Sequence, residues 1–124
     1  MLATLLFVFI LSLLLLHEMD AIRTKEWRMF IILKDMPEET AYRVFSALHL
    51  PLYFAALAAL VWGGLSGNFI LFIILDLFLI AHAFIHFGFR NQANNGFSSL
   101  YSKVLIYAMG ALSVAHLFLL IFGI

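Results

Sequence analysis

Five histidines stand in a chain of 124 residues that is 65% hydrophobic and 11% charged. An ionisable side chain inside a bilayer is costly and usually faces the protein interior, where it pairs or functions. His82 and His86 have the spacing H-x-x-x-H. On a helix this sets two imidazoles about 40° apart on one face, where they can chelate one metal ion. His17 and Asp20 also share a face, and Glu18 points about 100° away from His17. The expected metal ligands are therefore drawn from His17, His49, His82, His86 and Asp20, with Glu18 as a further ligand or the general base. Three histidines with a carboxylate in or beside the coordination shell suit Zn²⁺, iron or manganese. His17-Glu18 begins like the H-E-x-x-H metalloprotease signature, but position 21 is alanine and the signature is not completed.

The elements that must carry these residues follow from hydropathy. The mean hydropathy is +1.09, whereas a soluble domain is roughly half apolar and a quarter charged. The fold class expected is an all-α integral membrane bundle of four transmembrane helices, a single domain over residues 1–124. Cysteine is absent, which excludes disulfide and thiolate chemistry. Seven basic and seven acidic residues give a net charge of zero and no electrostatic basis for binding nucleic acid.

The first span, Leu2 to Leu16, covers about 22 Å of a hydrocarbon core roughly 30 Å thick, so its helix should continue through His17 to Ile22. It lacks a basic leader and a small-x-small cleavage site, so it reads as a span rather than a signal peptide. Trp27 to Leu33 reads as an amphipathic helix or loop lying on the headgroups, with Trp27 as an interfacial anchor. Asp35 is the expected N-cap of the next helix, with Glu38 closing a capping box. The second span runs from about Val44 to Trp62, with Pro51 expected to kink it and Ala55, Ala56, Ala58 and Ala59 allowing close approach. Gly63 to Asn68 reads as a turn, Phe69 to Phe87 as the third span and Val104 to Ile124 as the fourth, capped by Ser98 or Ser99.

Arg23, Lys25, Arg28, Lys34 and Arg43 lie in the first connection, and Arg90 and Lys103 in the third. By the positive-inside rule both chain ends are expected outside and both long connections in the cytoplasm, in a multi-pass protein of a plasma or bacterial inner membrane. Counted by helical rise from the cytoplasmic edge, His17 and Glu18 lie about one turn inside, His49 about 8 Å, His82 about 9 Å and His86 about 3 Å. Three spans thus contribute to one layer, with Asp20 at its edge and the loop Arg90 to Gly96 above it. Asp76, about 17 Å deep, matches the depth of His116, so the two can face each other as a structural hydrogen bond or a proton-relay pair.

His17-Glu18-Met19-Asp20-Ala21-Ile22 with Lys25-Glu26-Trp27-Arg28, followed by His49, His82 and His86, resembles small bacterial membrane proteins of unknown function that carry an HE-x-D-A-I…KEWR segment after the first span. The chain also distantly resembles membrane proteins named for an HxxEE motif, although His17 to Ala21 lacks the second glutamate. The resemblance implies a four-helix membrane fold over most of the chain and names no reaction. Three function classes stay open. One is a metalloprotein, extending to an enzyme on a lipid-soluble substrate at the cytoplasmic leaflet. Another is a haem b bundle with His49 and His82 or His86 as axial ligands. The last is an accessory subunit whose histidines only pair. The expected partners are the lipid bilayer and a lipid-soluble small molecule, with oligomerisation left open.

Overall fold

The computed structural model describes residues 1–123. Among the described residues the chain forms four long helices, α1 (Leu2–Thr24), α2 (Glu38–Ser66), α3 (Ile70–Gly88) and α4 (Leu100–Phe122), with a single 3-10 turn at Glu26–Arg28. Each long helix is long and apolar enough to cross a membrane; the shortest, α3 with 19 residues, spans about 28 Å. Large apolar side chains such as Phe54 and Phe84 are more than two-thirds exposed, which suits a lipid surface and not water. The fold is an all-α membrane bundle.

The α1–α2 and α3–α4 connections pack together at one end. Asn94 Nδ2 donates to Arg28 O at 3.4 Å, and Gly96 lies so close to Thr24 that an added Cβ would meet its carbonyl oxygen at 2.8 Å. At the other end α2 continues to Ser66, so the expected Gly63 to Asn68 turn contracts to Gly67, Asn68 and Phe69. Gly67 makes the reversal with φ 68°, and its N–H bonds back to Gly63 O.

α1 runs unbroken through His17 to Thr24, as its shortfall in apolar length predicts. Lys25 then adopts the left-handed conformation (φ 55°, ψ 56°), its N–H bonding to Ala21 O and Ile22 O. This conformation costs a non-glycine residue about 1–2 kcal/mol, and it turns the chain back under the bundle. Trp27, Met29 and Leu33 are consequently buried, packing with Ala41, Phe45 and Phe97. The expectation that Trp27 anchors at the interface is thus corrected: its ring sits 5.5 Å from that of Phe45. α2 begins at Glu38 with Pro37 as N-cap. The Asp35 cap and capping box do not form, because Arg28 and Lys25 take the Glu38 carboxylate. Ser99 does cap α4, accepting from Ser102 N at 3.0 Å. The expected end of the fourth span at Ile124 lies outside the described residues.

Phe7, Ile10, Leu14, Phe72, Leu79 and Met109 centre the apolar core, with Ala56 and Ala59 letting α2 approach. α3 and α4 make the most extensive contact, because Gly110 faces Ala83 with no side chain between the backbones. A Cβ at 110 would lie 2.7 Å from Ala83 Cβ, an atom that cannot move without its helix. Gly110→Ala should therefore cost about 1–3 kcal/mol, the range for an overpacked core. Gly64→Ala, where a Cβ meets nothing within 4 Å, should be close to neutral. Thermal unfolding in detergent separates the two.

Candidate metal centre

The register of α3 carries His82 and His86 one turn apart on its inner face, and their ring centroids lie 4.6 Å apart. Opposite them α1 presents His17, whose centroid is 5.0 Å from that of His82 and 5.2 Å from that of His86. The reversal at Lys25 inserts Glu26 beneath all three. One ligand atom from each of His17, Glu26, His82 and His86 can be chosen so that all lie within 4.8 Å of one another. His17 and Glu26 are buried, as is His86, while His82 is half-buried.

The distances test whether this group fits a cation. Ligand bonds of about 2.0–2.1 Å set tetrahedral donors roughly 3.3 Å apart. His17 Nε2 and His82 Nε2 are 2.9 Å apart. His86 Nε2 is 3.1 Å from Glu26 Oε1, and His17 Nε2 is 3.7 Å from Glu26 Oε2. These three separations bracket the tetrahedral value while the group as a whole spans up to 4.8 Å, so the four side chains could hold an ion after side-chain shifts. Burial opposes ionisation of the Glu26 carboxyl, but the hydrogen bond from His86 and the fields of His17, His86 and His82 outweigh it and hold the pKa below the ordinary value. Phe97 covers the imidazoles, 4.7 Å from His86 and 5.5 Å from His17 by ring centroids. An Asx turn places it, since Phe97 N donates to Asn95 Oδ1 at 2.8 Å.

The expected ligands converge only in part. His17, His82 and His86 meet. His49 instead donates from Nδ1 to Phe45 O at 2.6 Å, while its Nε2 lies 2.9 Å from Glu18 Oε2. Asp20 takes Arg23, whose Nη2 is 2.7 Å from Oδ1. Glu26 is the member that sequence reasoning missed; its place within the Lys25-Glu26-Trp27-Arg28 segment is the signal that could have found it. The loop from Arg90 to Gly96 does lie over this end, with Asn95 Nδ2 spent on Phe89 O at 3.2 Å.

Asp76 and His116 face each other near the middle of the bundle, fully buried, with His116 Nδ1 donating to Asp76 Oδ2 at 2.7 Å. Leu79, buried one turn along α3, separates this pair from the histidine group. Aromatic rings enclose it: Phe7 and Phe72 lie 5.7 and 5.5 Å from the His116 centroid.

No curated protein and no solved structure gives a significant match to this chain. A family model described as a family of unknown function (DUF6713) matches residues 3–122, nearly the whole length, and the chain belongs to that family.

Proposed function

We propose that this chain is an integral membrane metalloprotein in which His17, Glu26, His82 and His86 bind one divalent ion. The observation that carries the reading is the convergence of four donor atoms within 4.8 Å from α1, the 3-10 turn and α3. Independent structural histidines have no reason to meet in this way. Three imidazoles and one carboxylate suit Zn²⁺, and equally iron or manganese. The haem reading, with His49 and His82 or His86 as axial ligands, has less support, because both ring nitrogens of His49 are engaged, Nδ1 by Phe45 O and Nε2 by Glu18. An accessory subunit remains the competing reading, in which His17 and His82 merely share a hydrogen bond at 2.9 Å.

The basic residues of the two long connections support a cytoplasmic location for the ion, in a plasma or bacterial inner membrane. A lipid-soluble substrate would then approach from the inner leaflet, with Glu18, beside His49, as the candidate base. Reporter fusions at the C-terminus and near Asn94 should report opposite sides of the membrane. A cytoplasmic C-terminus would overturn the orientation.

The decisive measurement is metal content after purification without a histidine tag, by mass spectrometry of the elements. About one ion per chain is expected from the one such cluster among the described residues. His49→Ala should keep it, because both imidazole nitrogens of His49 are engaged elsewhere. Metal-free protein that takes up none of the three ions would sink the metalloprotein reading.

A further inference from the structure

Two cavities line the seam between α3 and α4 and share Phe87 and Tyr107. The deeper one, of about 320 Å³, is apolar. It exists because Gly110 packs on Ala83 and leaves a lateral notch, flanked by Phe84 and Val114, that opens toward lipid. The second, of about 360 Å³, lies at the end where the long connections meet and sets polar and charged groups into a largely apolar wall. Arg90, Lys103, Asn91 and Ser98 line it, and His86 forms part of its wall.

The charge here is uncompensated. Arg23, Lys25, Arg28 and Arg43 are all paired with carboxylates. Arg90 and Lys103 have no carboxylate partner among the described residues, and no acidic residue lines the cavity. The Arg90 guanidinium rests over the Phe87 ring at 3.9 Å, where Nη1 donates to Phe87 O at 2.7 Å. That leaves further N–H donors of the guanidinium to face a ligand. On the inner wall His86, 3% exposed, has no protein partner for Nδ1.

We propose that this seam binds one anionic phospholipid of the surrounding membrane, its phosphate held by Arg90 and Lys103 and one acyl chain laid along the Gly110–Ala83 notch. The two halves of the ligand match the two halves of the site. Cations at the headgroup level attract anionic lipid, and a notch walled by Phe84, Phe87 and Val114 takes hydrocarbon. A soluble anion would use only the polar half. The inference deepens the metalloprotein reading, since the lipid head would arrive beside His86, and it depends on that reading for this last step alone.

The test uses the full chain in nanodiscs of dioleoyl phosphatidylglycerol and dioleoyl phosphatidylcholine, then native mass spectrometry after delipidation. One phosphatidylglycerol should be retained with about a thirtyfold preference over phosphatidylcholine, the size expected for two cations. Arg90→Gln with Lys103→Gln should remove the preference, and Ala111→Trp, an exposed position that fills the notch, should lower retention of either lipid. Equal retention of both lipids by the unaltered protein would mean ordinary annular contact and overturn the proposal. Displacement of the lipid by millimolar inorganic phosphate would make this a free-anion site and overturn it equally. Retention that Ala111→Trp leaves unchanged would remove the acyl-chain half. Repeating the measurement on chelator-treated protein separates the readings: lipid retained by the metal-stripped chain leaves the lipid site standing whatever the metal-content measurement gives, and loss of the preference there would overturn a lipid site held by Arg90 and Lys103 alone.

Discussion

Replacing His82 and His86 together by alanine should abolish stoichiometric metal binding while leaving a folded, membrane-inserted bundle. Both imidazoles come from one helix face, so the double change removes two donors of the preorganised group at once. Partners that only touch a metal ligand are worth about 10–100-fold in affinity; losing two ligands should exceed that and take binding below detection. Glu26→Gln should lower affinity by more than about 100-fold, because it removes the anionic donor that lies 3.1 Å from His86 and 3.7 Å from His17. The fold should tolerate both changes, since apolar clusters on either side of the layer hold the helices without it. His116→Ala is the matched control at the bundle centre. Equilibrium dialysis against ⁶⁵Zn and against manganese reads these outcomes. Unchanged binding by the double variant would assign the histidines to a structural hydrogen bond.

The reach of the sequence differs from residue to residue for a physical reason. Hydropathy fixes the number of spans, because a helix must satisfy its own backbone in hydrocarbon, and the α3 pair was legible because residues i and i+4 share a face. Counting 1.5 Å per residue placed His17 in the same layer as His82 and His86. The same counting puts His49 in that layer but does not give its partner, since depth is one coordinate and the rotation of α2 about its axis is another; α2 turns His49 toward Glu18. Asp20 was lost to a partner three residues away, Arg23. Glu26 was invisible because it lies beyond the end of α1, where a straight helix would carry it into water. A left-handed lysine is uncommon, and nothing local to Lys25 announces it. That one backbone conformation converts an apparent headgroup segment into the floor of the site and explains why Trp27 enters the core with it.

The Asp76–His116 pair should behave in the opposite way to the metal group, with its effect on stability rather than on metal. His116→Leu would strand the fully buried Asp76 carboxyl without its partner. A membrane hydrogen bond taken alone averages about 0.6 kcal/mol, which would make the substitution mild. The stranded group decides otherwise: a buried polar atom without a partner costs about 1–3 kcal/mol, and a buried charge about 3–5 kcal/mol. A loss above about 2 kcal/mol is therefore expected, with metal content unchanged. Combining His116→Leu with Asp76→Val should recover most of it, because no polar group is then left unpaired and an apolar core of similar volume replaces the pair. Thermal or denaturant unfolding in detergent of the single and double variants completes the cycle. Single substitutions that cost less than about 1 kcal/mol would mean that these helices are held by apolar packing, including Gly110 on Ala83, without help from the pair. The pair would then be freed from a structural duty, and a midplane carboxyl and imidazole that stability does not require would be the place to look for proton transfer.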